Sequence, residues 1–297
     1  DVALPLWQRI GAMSEEYRDA ASGKALRCLL EIGDEPSIAE AKRMLEAEDA
    51  PVDTLIEGAI FYDGRKEWSE ALPLHRRVGA MSEEHGDAAS CKALSCLLEI
   101  GDEPSIAEAK RMLEAEDATV FSYLVAIETY DRNGIPLEAS KLQEQALERF
   151  PHDANLLIGC IKRDGAFKNW ESVEILAKAL IDSLSQARQK SEDLVFVRRL
   201  AFAYVALGNP EECLKLVLPI INKLSGNELV RARETVLFAA CIQGDENLAV
   251  RTYNELKSLE WPHHNETDCV FNFLRNLTEI SGNKLPALIE LHLDECH

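Results

Sequence analysis

EIGDEPSIAEAKRMLEAEDA, residues Glu31 to Ala50, recurs letter for letter as Glu99 to Ala118. Extending the alignment outward, Ala3–Ala50 matches Ala71–Ala118 at an offset of 68 residues, twice 34. Seven of the 48 pairs differ: Trp7/His75, Gln8/Arg76, Ile10/Val78, Tyr17/His85, Arg18/Gly86, Gly23/Cys91 and Arg27/Ser95. Identity extends to positions that packing leaves free, among them Glu15/Glu83, Lys24/Lys92, Arg43/Arg111 and Glu46/Glu114. A shared core would preserve only the apolar stripe, so the block was copied whole. A period of about 34 residues is the mark of stacked helix–turn–helix units, each burying its apolar face against its neighbours. Function in such arrays lies along an extended surface rather than in one pocket.

The period runs past the copied block. Trp68 and Trp170 lie 102 residues apart, three periods, while Tyr62 and Tyr130, like Ala71 and Ala139, lie 68 apart. Within Val120–Asp153 the spacing of Tyr123, Ala126, Ile127 and Tyr130 predicts one face of a first helix. Asn133-Gly134 ends it, and Pro136 opens a second helix carrying Ala139, Leu142, Ala146 and Leu147, closed before Pro151. In Leu194–Asn227, Gly208-Asn209-Pro210-Glu211-Glu212 reads as C-terminal glycine, N-cap Asn, first-turn Pro and capping-box Glu.

These units resemble the tetratricopeptide repeat family. The matching residues are Tyr130, Gly134, Ala139, Ala146, Leu147 and Pro151 in one unit and Leu200, Ala201, Tyr204, Gly208 and Cys213 in a second. A third, Val230–His263, matches through Val236, Leu237, Gly244, Ala249, Tyr253 and Leu256. Weaker units at Arg18–Pro51, Val52–His85, Gly86–Thr119, Ala154–Asp193 and Asp268–His297 carry the resemblance over nearly the whole chain. It implies an all-α fold, a right-handed α-solenoid of about eight helix–turn–helix repeats. Residues 1–297 are then one array, entered partway through a repeat as in an excerpt, with extra residues near 183–193 marking a change of curvature.

Charge narrows the partner class. Lys+Arg number 32 against 52 Asp+Glu, a net charge of −20. Residues 1–119 hold 13 basic and 26 acidic side chains (net −13), and 120–297 hold 19 and 26 (net −7). Phosphate backbones are bound by Lys and Arg, so this balance argues against nucleic acid. It argues equally against the pentatricopeptide arrays, which share the period but read RNA. No apolar run is long enough to cross a bilayer, so no membrane insertion is expected. The eight cysteines are scattered singly, without a Cys-x-x-Cys pair, and read as free thiols of an intracellular protein of cytoplasm or nucleus. The sequons Asn265-Glu266-Thr267 and Asn276-Leu277-Thr278 are then coincidental. His292, Cys296 and His297 cluster at the tail with no second ligand pair, so no metal site is assigned.

The sequence carries no Gly-x-Gly-x-x-Gly or Walker-type loop, no His-Glu-x-x-His and no nucleophile elbow. The expected role is non-catalytic and free of cofactors: a protein–protein interaction scaffold, or alternatively an auxiliary subunit that positions a catalytic partner. If Val197, Leu200, Ala201 and Tyr204 form a packing face, then Arg198, Arg199, Phe202 and Val205 look elsewhere. The family resemblance implies that this other face lines an inner groove. The same phase adds Phe121, Leu124 and Glu128, then Ile158 and Lys162, then Arg231, Glu234 and Phe238. The candidate binding set is therefore Phe121, Lys162, Arg198, Arg199, Phe202, Arg231 and Phe238, suited to an acidic peptide with apolar anchors. The competing reading makes Phe202 and Phe238 core residues of slightly rotated helices. A chaperone-carboxylate clamp is excluded, because the first-helix surface offers Asp53, Glu57, Asp87, Ser90 and Cys91 without paired Lys and Asn. A far-ultraviolet circular dichroism spectrum should show helix with almost no sheet; substantial sheet would sink the repeat reading.

Overall fold

A computed structural model describes residues 3–13, 17–186, 194–259, 267–287 and 289. Among the described residues there are sixteen α-helices and no β-strand. The first nine are α1 (Ala3–Met13), α2 (Arg18–Ile32), α3 (Glu35–Glu46), α4 (Val52–Gly64), α5 (Trp68–Met81), α6 (Gly86–Ile100), α7 (Glu103–Glu114), α8 (Val120–Arg132) and α9 (Pro136–Arg149). There follow α10 (Ala154–Ala166), α11 (Trp170–Gln186), α12 (Leu194–Ala206), α13 (Pro210–Val217), α14 (Gly226–Gln243), α15 (Glu246–Lys257) and α16 (Thr267–Ile280). The helices pack in neighbouring pairs, α4 on α5 and α5 on α6, and each pair meets the next, α2 on α4 and α6 on α8.

The copied block folds the same way twice. Helices α2 and α6, like α3 and α7, begin and end at the same 68-residue offset. Gly33 and Gly101 close the first helix of each copy at φ 70°, a left-handed conformation that suits glycine because it has no Cβ. Asp34 and Asp102 then cap the next helix, accepting from the backbone N–H of Ser37 at 2.9 Å and of Ser105 at 2.8 Å. Hydrogen bonding by those serines holds both carboxyls below their ordinary range.

Where the copies differ, their neighbours differ. Leu74, His75 and Val78 of α5 are buried, whereas their counterparts on α1 are more open, Leu6 at 52% and Ile10 at 38% exposure. The reason is that α5 packs against α4, and among the described residues no helix holds that place beside α1. Glu57 on α4 pairs with Lys24 and approaches Arg27 to 4.0 Å, while Ser95, the counterpart of Arg27, meets the Thr129 hydroxyl at 3.4 Å. Even the helix ends are finished by different partners. The Arg77 guanidinium donates to the carbonyls of Leu45 and Ala47 at the end of α3, and the Tyr123 hydroxyl donates to that of Leu113 at the end of α7.

The helices sort into two compact units, Asp1–Glu144 and Gln145–His297. In the second unit α16 does not simply extend the sequence of pairs; it packs on α10 as well as on α14. Gly165 makes this approach possible, since a Cβ there would overlap the Phe273 ring. Asn276 locks it, its amide Nδ2 donating to the carbonyls of Gly165 at 3.0 Å and Ala166 at 2.8 Å. The Asn276 sequon is thus spent inside the unit. The expected curvature change falls on the end of α11 and on residues 187–193, which lie outside the described residues.

The Gly23/Cys91 difference between the copies gives a direct test. A Cβ on Gly23 would come within 3.0 Å of the Asp53 carbonyl oxygen, whereas Cys91 lies 3.8 Å from the Ser122 hydroxyl. Gly23→Cys should destabilise the chain by about 1–3 kcal/mol through overpacking. Cys91→Gly should cost about 1 kcal/mol, the helical penalty of glycine, both read by urea denaturation.

Candidate functional site

The sequence-predicted strip falls on both units: Phe121 belongs to the first, and Lys162, Arg198, Arg199, Phe202, Arg231 and Phe238 to the second. Phe121 stands out from α8 at 59% exposure. The two proposed anchors of the second unit do not, for Phe202 is 2% exposed and Phe238 fully buried. This corrects the reading of both as groove-lining rings. Helix α12 is rotated relative to expectation, so that Arg198, Ala201, Phe202 and Val205 are buried while Val197, Leu200 and Tyr204 are only partly covered.

The physical cause is packing inside the unit, where α12 meets α10, α11, α13 and α14 and the two rings meet one from α16. Phe273 of α16 sits between the two rings, 6.1 Å from Phe202 in a tilted arrangement and 5.5 Å from Phe238 edge to face. Both distances lie in the favourable range for aromatic pairs. Leu274 and Leu277 are buried beside it. The face expected to hold a peptide is therefore packed by the chain's own helices. Sequence phase read this face of α12 and α14 as a groove lining of aromatic and basic residues, and missed that the unit's own helices cover it.

Lys162 and Arg198 are paired with carboxylates within the same unit. The Lys162 ammonium donates to both carboxylate oxygens of Glu234 at 3.1 Å and lies 5.9 Å from the centre of the Phe202 ring. Arg198 Nε donates to Glu228 at 2.6 Å with its side chain almost wholly buried. Burial lowers the Arg198 pKa from its ordinary value, and the Glu228 carboxylate works against that shift. Arg231, about half exposed, shares Glu228 at 3.8 Å. Arg199 donates through Nη2 to the Asn155 side-chain oxygen at 2.9 Å, and its Nε is buried without a partner. A buried cation already paired with a carboxylate has little left to offer an acidic ligand. The proposed acidic-peptide groove thus loses the Phe202 and Phe238 anchors and the free charge of Lys162 and Arg198; Phe121 and Arg231 remain accessible.

The first unit gathers a different constellation, one the sequence shows only as separate residues. Asp63 from the end of α4, His75 from α5 and Cys96 from α6 bring their donor atoms within 4.8 Å of one another. His75 Nε2 lies 3.2 Å from each Asp63 oxygen, and the Cys96 thiol donates to Oδ1 at 3.8 Å. Lys92 places its ammonium 3.6 Å from Oδ2. His75 and Cys96 are buried, and the Asp63 side chain retains 16% exposure. Burial, and then the Asp63 charge, push the Cys96 thiol up to about 12. The available signal was the Trp7/His75 difference between otherwise matching copies, but Asp63 lies outside the copied block. Its meeting with Cys96 across 33 residues is set by packing alone.

The other described cysteines, Cys28, Cys91, Cys160, Cys213 and Cys241, are free thiols. No helix is long and apolar enough to cross a membrane among the described residues. The tail histidines and Cys296 lie outside them. No protein-family model matches the chain, and no curated protein matches it.

The Lys162–Glu234 pair yields a clear expectation. Lys162→Met should strand a buried carboxylate and destabilise the chain by about 3 kcal/mol, whereas adding Glu234→Leu should recover much of that loss. A double-mutant cycle in urea measures the coupling; additive losses would mean that the pair is screened by water.

Proposed function

We propose that this chain is a non-catalytic protein–protein interaction scaffold, an α-solenoid segment of tetratricopeptide type acting in an intracellular complex. The observation that carries the reading is the doubled helix pair of the first unit. Copies with the same boundaries and the same caps, set side by side with further pairs, build surface in preference to a pocket. Copying a block whole, solvent-facing charges included, enlarges such a surface.

On the first unit, Phe121 of α8 and Ile60 of α4 are large apolar side chains with more than half their surface in water. Exposed aromatic side chains are frequent material of interface hot spots. Residues 1–119, most of this unit, carry 26 acidic against 13 basic side chains. An acidic peptide would be repelled on approach, so the partner we propose is a protein with a neutral or basic docking face and an apolar centre. The acidic surface would steer its encounter, and Phe121 would supply area that leaves water on binding.

The chain of residues 1–297, tagged and captured from cells, should retain a partner in near-stoichiometric amount at low salt, with recovery falling as salt rises. Phe121→Ala should lower that recovery at least tenfold, about 1.4 kcal/mol or more, while leaving helicity unchanged. Absence of any protein enriched over a tag-only control, or capture indifferent to both salt and Phe121, would defeat the proposal. If the captured partner is an enzyme whose activity depends on this chain, the scaffold serves as its auxiliary subunit.

A further inference from the structure

Three successive helices each contribute one metal-capable donor to the Asp63–His75–Cys96 cluster, and the spacing of those donors can be compared with a coordination shell. Zinc binds carboxylate oxygen, imidazole nitrogen and thiolate sulfur at about 2.0–2.3 Å in a tetrahedron, which sets neighbouring ligand atoms about 3.3–3.7 Å apart. Here the nitrogen–oxygen edge is 3.2 Å and the sulfur–oxygen edge 3.8 Å, with all three atoms inside 4.8 Å. Two edges already match to within a few tenths of an ångström. We propose that Asp63, His75 and Cys96 form a three-ligand site for a divalent cation of the zinc class, which ties α4, α5 and α6 together and leaves the fourth position to water.

The donor set selects the cation. One thiolate, one imidazole and one carboxylate suit a borderline-soft ion, whereas calcium and magnesium take oxygen ligands almost exclusively. The site is also economical in charge: thiolate and carboxylate together balance the two positive charges of the ion. Without a cation the buried thiol keeps its proton, held there by burial and by the neighbouring carboxylate. Binding exchanges that S–H bond for an S–metal bond, and the proton leaves to solvent. Lys92 completes the arrangement. Its side chain is 53% exposed, so the ammonium can withdraw into water when a cation takes over its role as counter-charge to Asp63.

The internal copy supplies a control within the same molecule. Cys28 corresponds to Cys96, but Trp7 stands where His75 would be needed. Of the seven differences between the copies, the one at His75 brings the imidazole that meets Asp63. The site is thus a property of the second copy and of the helix that precedes it.

The chain of residues 1–297, reduced and stripped with a chelator, should bind one equivalent of Co²⁺ at this site. Cobalt in a tetrahedral site with a thiolate gives intense visible bands and a near-ultraviolet sulfur-to-metal charge-transfer band, and Zn²⁺ should displace both. Cys96→Ala should abolish the charge-transfer band, and His75→Gln should weaken Co²⁺ at least tenfold. Cys296→Ala, which alters the tail near His292 and His297, should leave the band intact. Circular dichroism checks that each variant keeps its helicity; if Cys96→Ala does not fold, Asp63→Asn replaces it and should weaken Co²⁺ at least tenfold. A wild-type chain with no charge-transfer band overturns the proposal, as does a band that survives in Cys96→Ala or disappears in Cys296→Ala. Unchanged cobalt affinity in Asp63→Asn or His75→Gln overturns it as well.

Discussion

A helix pair of this kind has more apolar surface than its two helices can cover for each other, and the need to cover the remainder organises the whole chain. Fully buried Ala41, Ala71 and Ala109 show how closely helices approach in the first unit, because a methyl group keeps their separation small. The contrast between α1 and α5 shows the same requirement from the other side. Equivalent leucines are buried where a preceding helix packs and open where none is described. Burial of a large aliphatic side chain stabilises by about 1.5–3 kcal/mol, enough for the neighbouring helix to decide how an otherwise identical segment is completed.

In the second unit the same requirement is met differently. The apolar faces of α12 and α14 close over Phe273 of α16, and α16 reaches back to α10. Two features make that return possible: a glycine at 165 that admits a ring, and an asparagine at 276 that satisfies the carbonyls at the end of α10. Burial in turn dictates the electrostatics. Lys162 and Arg198 lie too deep to remain unpaired, so Glu234 and Glu228 accompany them. Charges that look like recognition elements along a helical wheel are here internal pairs.

The two units therefore use their polar residues in different ways. In the first, a histidine that one copy has and the other lacks meets a carboxylate and a thiol from adjacent helices, and a chemically distinctive cluster results. In the second, the polar residues chiefly neutralise one another beneath a helix that closes the packing. Exposed candidates for recognition, Phe121 and Ile60, belong to the first unit, which is also the more acidic stretch.

Local sequence determined what depends on local physics. The 34-residue period, Gly33 and Gly101 as left-handed stops, Asp34 and Asp102 as caps, and Pro136 and Pro210 as helix openers are legible because each acts through its own backbone within a turn or two. The all-helical fold and these helix ends follow from such signals, whereas α2, α4, α5 and α6 begin without a side-chain cap. Which face of α12 would be buried did not follow, because 3.6-residue phase says that a helix has two sides and not what lies against each. That was decided by tertiary packing, α12 against α10, α11, α13 and α14, with Phe273 of α16, some 70 residues further along the chain, against Phe202. Nor did the phase reveal the meeting of Asp63, His75 and Cys96, since three donors on three helices converge only once packing sets the distances and rotations between those helices.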